Sequence, residues 1–80
     1  MLLKPISSEK AVKLIDLENT ILFETERATT KEMIKKEVES IFSVKVENIR
    51  TLMRANKKFA YVRLDKKTPA SDIASKLGMI

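Results

Sequence analysis

The sequence predicts a single α+β domain spanning residues 1–80, in which helices pack on a mostly antiparallel four-stranded sheet. Three observations support this fold class. A chain of 80 residues is too short to build two separate cores. Segments with apolar residues at every second position alternate with segments where they recur every three or four. Their order is strand, helix, strand, helix, strand, strand, helix, which is typical of α+β folds.

The first strand and helix lie at the start of the chain. Apolar residues around Pro5 predict an edge strand, because proline has no amide hydrogen to donate to a sheet. Ser7 or Ser8 then caps a helix that ends near Glu18 and Asn19. The apolar stripe of this helix consists of Ala11, Val12, Leu14 and Ile15.

The second strand and helix follow the same logic. Alternation over residues 20–26 predicts a strand. Thr29 or Thr30 then begins a helix, and Thr29 with Glu32 fits a capping box. The core-facing side of this helix carries Ile34, Val38, Ile41 and Phe42. The opposite side carries Lys31, Lys35, Lys36 and Glu39.

Residues 49–54 and 59–64 predict a β-hairpin with a four-residue tip, 55–58. If Arg54 lies opposite Phe59, every other residue shares one face. The largely apolar face, which we expect in the core, carries Ile49, Thr51, Met53, Ala60, Val62 and Leu64. The other face carries Arg50, Leu52, Arg54, Phe59, Tyr61 and Arg63.

A short helix closes the chain. Thr68 precedes Pro69, which tolerates the first helical position, and Gly78 is a suitable residue just beyond the helix end. We expect Met79 and Ile80 to fold back on this helix. Its apolar stripe consists of Ile73, Ala74 and Leu77.

The composition argues against an enzyme. The chain has neither histidine nor cysteine, so nucleophilic triads and ordinary zinc sites lack their imidazole or thiolate groups. The single glycine, Gly78, excludes a glycine-rich phosphate loop. The paired carboxylates occupy surface positions where both simply ionise. We therefore predict no catalytic residue, no cofactor and no metal.

The apolar runs are short. None approaches the ~20 residues that span a bilayer, and the first residues lack the apolar core of a signal peptide. We expect a cytoplasmic protein with no direct membrane insertion.

The charge balance points to a polyanionic partner. Lysine and arginine total 16 against 11 acidic residues, a net charge of +5. The basic residues gather at the hairpin, where Arg54, Lys57 and Lys58 form its tip. Two interpretations remain open: the neighbouring Phe59 and Tyr61 contact RNA, or they pack beneath a helix and leave only the arginines free. The lysine row on the second helix equally fits an ordinary solvated face.

A family resemblance sharpens this interpretation. The motifs Ser8-Glu9-Lys10-Ala11, Thr30-Lys31 with Ile34-Lys35, and Lys58-Phe59-Ala60-Tyr61-Val62-Arg63-Leu64 occur in the order and spacing of one family. Together they resemble the twenty-third protein of the large ribosomal subunit. The closing Ala70-Ser71-Asp72-Ile73-Ala74 looks like the archaeal and eukaryotic branch.

The resemblance implies a structural protein of the large subunit, bound to ribosomal RNA at the mouth of the polypeptide exit tunnel. It implies a neighbour from the twenty-ninth family of large-subunit proteins. It also implies docking of nascent-chain factors, namely the signal recognition particle and the protein-conducting channel. Bacterial members extend the last hairpin into the tunnel; the short tip at 55–58 predicts no such extension here.

Residue by residue, the resemblance and the charge pattern give two sets of candidates. Glu9 matches a family glutamate used in factor docking, although it equally suits the first turn of a helix. The alternative function is a small basic protein-interaction or regulatory module that does not bind the ribosome. The expected RNA contacts are Lys10, Arg27, Lys31, Lys35, Arg50, Arg54, Lys57, Lys58 and Arg63.

Overall fold

The computed structural model describes residues 3–78. The expected fold-back of Met79 and Ile80 lies outside the described residues. The element order confirms the predicted α+β fold. The elements are β1 (Lys4–Pro5), α1 (Glu9–Glu18), β2 (Thr20–Thr25), α2 (Lys31–Phe42), β3 (Val46–Arg54), β4 (Lys57–Leu64) and α3 (Ala70–Lys76).

The four strands form one antiparallel sheet in the order β1-β2-β4-β3. The pairing of Phe23 on β2 shows this order, because Phe23 lies opposite Pro5 of β1 on one side and Ala60 of β4 on the other. Ala60 in turn lies opposite Thr51 on β3. As predicted, the proline-containing strand is at the edge, where its missing amide hydrogen breaks no ladder bond.

One face of the sheet is buried in the core. Ile21, Phe23 and Val62 project from this face and are almost completely inaccessible to solvent. The helices contribute to the same core cluster, which explains why their apolar residues recur at helical spacing. From α1, α2 and α3 respectively, the cluster includes Ile15, Ile34 with Val38, and Ala70 with Ile73 and Ala74.

Helix α1 begins and ends as predicted. The Ser8 hydroxyl accepts a hydrogen bond from the amide of Ala11. The helix ends at Asn19, which has the left-handed φ of 52° that asparagine tolerates better than most residues. The Asn19 side chain also contacts the segment between β4 and α3, and so helps to place α3.

Helix α2 begins after the second of its two predicted caps. Thr30, not Thr29, is the N-cap, and its hydroxyl accepts a hydrogen bond from the Met33 amide. The capping box of Thr29 with Glu32 was therefore wrong. Thr29 is instead buried, and its hydroxyl accepts a hydrogen bond from the Thr25 hydroxyl.

The predicted core and solvent faces of α2 are wrong at two residues. Ile41, predicted to face the core, is 48% exposed. Glu39, predicted on the opposite face, is half-buried and accepts a hydrogen bond from the Val46 amide at 3.0 Å. Glu39 therefore helps to connect α2 to the start of β3.

The hairpin is tighter than predicted. Its turn consists of Ala55 and Asn56 alone, with φ of 51° and 64°, and Arg54 lies opposite Lys57 rather than Phe59. Positive φ at both central residues is the signature of a type I′ turn. The register is shifted by two residues, which leaves the predicted faces unchanged because side-chain direction has a period of two.

Strand β3 is longer than predicted and irregular at its start. It begins at Val46, and the pairing shifts between Val46 and Asn48, so that Glu47 is the extra residue of a bulge. The bulge keeps Val46 on the core side. Asn48 then lies opposite Arg63.

Helix α3 begins one residue later than expected, with Pro69 as its N-cap and no side-chain cap. The free amide of Ala70 donates instead to Oδ1 of Asn19 at 2.6 Å. Gly78 has a φ of 74° just past the helix end, as predicted. Within residues 3–78, no helix has the length and apolar character needed to cross a membrane.

Candidate nucleic-acid interface

The hairpin face opposite the core carries four basic side chains along β3 and β4. We call it the outer face. Alternation places its members on the same side of β3 and β4, so the sheet holds the charges at fixed spacing. The outer face consists of Asn48, Arg50, Leu52, Arg54, Lys57, Phe59, Tyr61 and Arg63.

Arg50 lies at the centre of this face. Its guanidinium carbon is 5.4 Å from the centre of the Tyr61 ring, a cation–π arrangement across the two strands. Its Nη2 is also 3.9 Å from Oε1 of Glu18 at the end of α1. The side chain nevertheless remains 63% exposed, so the guanidinium is oriented while still accessible to a phosphate.

Acidic side chains accompany two other cations of the outer face. Lys57 Nζ is 3.8 Å from Oε1 of Glu24, and Arg63 Nε is 3.9 Å from Oε1 of Glu47. Exposed pairs of this length contribute only about 0–1 kcal/mol, so a phosphate can compete for both cations. Among residues 3–78, Arg54 has no carboxylate within ion-pair distance.

The burial of the apolar members of the outer face shows how far the hairpin rings are packed. Phe59 and Tyr61 are half-buried, whereas Leu52 is 47% exposed. The rings are therefore packed without being removed from the surface. Lys10 of α1 borders the same face across a pocket of about 380 Å³ that it lines with Arg50 and Tyr61.

The other predicted RNA-binding residues lie elsewhere. Lys58 points to the core side of β4, is half-buried, and its ammonium group donates to the carbonyl of Thr29. Arg27 is exposed in the turn before α2. Lys31 and Lys35 are exposed on α2 and line a separate pocket of about 370 Å³ beside β3. The structure thus brings together five of the nine candidates: Lys10, Arg50, Arg54, Lys57 and Arg63.

The docking candidate Glu9 lies in the first turn of α1. Its side chain is 89% exposed and its Oε1 is 3.9 Å from Nζ of Lys13, one helical turn further on. Leu17, another turn further, is 80% exposed. This line of residues is distinct from the line that borders the outer face, which runs through Lys10, Leu14 and Glu18.

The family model described as "Ribosomal protein L23" matches residues 1–73. The chain belongs to the ribosomal protein L23 family. A curated relative, "Large ribosomal subunit protein uL23" of Pyrobaculum aerophilum, is 43% identical over 82 residues and is matched over the whole of both chains. Both findings confirm the family, and the relative from Pyrobaculum confirms the archaeal type that the sequence motifs predicted.

As a member of the L23 family, the chain is a structural protein of the large ribosomal subunit and not an enzyme. Its location is accordingly the cytoplasmic ribosome, as predicted. Among residues 3–78 there is also no group of three His, Cys, Asp or Glu side chains that could hold a metal ion.

Sequence reasoning missed the acidic partners of this L23-family surface. Glu18 reaches Arg50 from the C-terminal end of α1, and Glu47, the bulge residue of β3, reaches Arg63 on β4. Neither contact has a local sequence signal, since each joins residues from different elements. One weak indication was available from the sequence, because helical spacing places Lys10 and Glu18 on the same side of α1.

Proposed function

We propose that the chain binds ribosomal RNA of the large subunit near the polypeptide exit tunnel, chiefly through the outer face and Lys10. The observation that carries the proposal is the alignment of Arg50, Arg54, Lys57 and Arg63 on one side of a two-stranded ladder. Family membership supports the choice of RNA, and the resemblance of the motifs supports the position on the subunit.

The mechanism is electrostatic and geometric. Main-chain hydrogen bonds of β3 and β4 fix the positions of the Cα atoms that carry the cations, so no backbone freedom is lost when the side chains meet phosphates. A rigid array of this kind recognises the shape of a folded RNA through its backbone, more than it reads the bases. Arg27, Lys31 and Lys35 form a second region of contact in this proposal, and the pocket lined by Lys31 and Lys35 reaches Asn48 at the border of the outer face.

The outer face, rather than the core side, is the RNA side. Its basic residues are exposed, whereas Lys58 on the opposite side already donates to Thr29. We therefore assign Lys58 mainly to holding the hairpin against the loop before α2. Its ammonium group retains two further hydrogens, which suit a marginal phosphate contact.

The salt dependence of binding tests this proposal. The double variant Arg54→Ala with Lys57→Ala removes one cross-strand pair at the hairpin end. For each phosphate that the variant no longer neutralises, the slope of log affinity against log salt should flatten by about 0.7–0.9. The measurement is the affinity of the full chain for a large-subunit RNA fragment over a range of ionic strengths.

The matched control is Lys66→Ala with Lys67→Ala, which removes the same amount of charge from the exposed loop after β4, at the end of the strand opposite the hairpin turn. Its slope should equal that of the wild type. Equal slopes for all three proteins would remove the outer face from the RNA interface.

We further propose that the line of Glu9, Lys13 and Leu17 on α1 is a docking surface for nascent-chain factors. The proposed partners are the signal recognition particle and the protein-conducting channel, with the twenty-ninth-family protein as the ribosomal neighbour. The high exposure of Glu9 and Leu17 supports this assignment, because it leaves both side chains on this line of α1 open to a partner.

Glu9→Ala should weaken retention of the signal recognition particle on purified ribosomes, with little change in the amount of this protein that the ribosomes contain. The control is Glu32→Ala, which removes the equivalent first-turn carboxylate from α2 and has the same effect on a helix dipole. Co-sedimentation measures both. Equal retention on Glu9→Ala and Glu32→Ala ribosomes would mean that Glu9 acts only on helix stability.

A further inference from the structure

A shallow groove separates α1 from the outer face of the hairpin. We call it the α1 groove. Its volume is about 380 Å³, at the lower end of the ~300–1,000 Å³ typical of small-ligand sites. It is lined by Lys10, Leu14, Arg50, Thr51, Leu52 and Tyr61.

The lining of the α1 groove combines apolar walls with positive charge. Leu14 and Tyr61 are half-buried, and Leu52 is 47% exposed. All three therefore expose part of their apolar surface in the groove. The charged lining groups are Lys10 and Arg50, both cationic. A ligand that fits has a flat, largely apolar body joined to an anionic group.

An unpaired nucleotide meets this description. Its base offers a face for stacking on an aromatic ring or a guanidinium plane, and its phosphate carries the charge. Arg50 is already oriented for this role, since the Tyr61 ring and Glu18 hold its guanidinium from two sides. A paired base does not fit, because its faces are covered by its neighbours in the duplex.

We propose that the α1 groove binds one unpaired base displaced from the ribosomal RNA, with the adjoining phosphate between Lys10 and Arg50. This inference rests on the proposed RNA-binding function and adds a specific contact to it. The outer face then recognises the RNA in two ways, through the general attraction of its cations and through a single base in a pocket.

Paired changes in protein and RNA test the inference. Each unpaired position of a bound RNA fragment is replaced in turn by an abasic nucleotide, and affinities for the full chain are measured with and without Tyr61→Leu. One abasic position should lower the affinity by a factor of roughly 5–150, the range for loss of one base stack. Tyr61→Leu should lower it similarly, and the two changes together should do no more than either alone.

The matched control is Phe59→Leu, which removes a half-buried ring from the same strand and face outside the groove. Its effect should add to that of the abasic position. Leu52→Ser provides a second test, because this side chain is exposed enough to be changed without loss of the fold. Like Tyr61→Leu, Leu52→Ser should cause no additional loss of affinity when the RNA already carries the abasic nucleotide at the critical position.

The possible failures are distinguishable. If the wild type binds RNA with the expected salt dependence but no abasic position couples to Tyr61 or Leu52, the groove inference is wrong and the proposed function stands. If the groove variants lose a protein neighbour while keeping full RNA affinity, the groove holds a protein side chain and the inference is again wrong. Absence of salt-dependent RNA binding by the wild type would overturn the proposed function and the inference together.

Discussion

A single asparagine side chain connects three elements of this molecule. Nδ2 of Asn19 lies within hydrogen-bond distance of the carbonyl oxygens of Leu64 at 3.1 Å, Asp65 at 3.2 Å and Thr68 at 3.0 Å, which share its two hydrogens, and Oδ1 accepts from the amide of Ala70. Thr68 lies in the irregular segment between β4 and α3, where its carbonyl has no ladder partner, and leaving that carbonyl unsatisfied in a partly buried site is costly. Asn19 therefore serves both as the end of α1 and as the attachment of α3.

Asn19→Ala should destabilise the protein by about 2–4 kcal/mol, since it removes these hydrogen bonds and places alanine in the left-handed region. Urea denaturation followed by circular dichroism measures the change. The control is Asn56→Ala, which has a similar φ of 64° but is exposed in the hairpin turn. It should cost only about 1 kcal/mol, the backbone part of the effect. Equal destabilisation of the two variants would show that the Asn19 side chain contributes nothing.

At the scale of elements, the β3–β4 hairpin depends on an unfavourable turn residue. Ala55 has a φ of 51°, a conformation that alanine adopts at a cost. Asparagine followed by glycine is the preferred pair for a type I′ turn. The natural pair, Ala55 and Asn56, places asparagine at the second of these positions.

Replacing the turn by the preferred pair, Ala55→Asn with Asn56→Gly, should stabilise the protein by about 1 kcal/mol. The urea midpoint measures the gain. Ala28→Asn is the control, because Ala28 is also an exposed turn residue but is not among the described residues with positive φ. It should give no gain. An unchanged midpoint in the double variant would mean that the turn is not strained.

The elements also show what sequence reasoning could and could not fix. Alternation correctly assigned the core side over most of the hairpin, since Ala60 and Val62 are buried and Arg50 is exposed. It was wrong for Met53 near the turn, which was predicted in the core and is 48% exposed. It could not fix the register, because a shift of two residues keeps every side chain on its face. The same error put Lys58 in the tip, whereas it lies in β4 on the core side.

For the molecule as a whole, the sheet separates two tasks. One face holds the buried side chains, and the other holds Arg50, Arg54, Lys57 and Arg63. The net charge and the hairpin motif were enough to predict this basic surface. They were not enough to predict the α1 groove, because Lys10 and Tyr61 meet only through the packing of α1 beside the sheet. Contacts between elements distant in sequence have no periodic signature.

The two-residue turn determines where this chain can change its length. Residues inserted between Ala55 and Asn56 would lengthen the hairpin outward and leave each existing pair, such as Leu52 with Phe59, on its present side. One residue inserted between Arg50 and Leu52 would instead move the side chains that follow it in β3 to the opposite face of the sheet. Arg54 would then point away from Lys57. The hairpin end is thus the place where a longer relative could grow without disturbing the surface beneath.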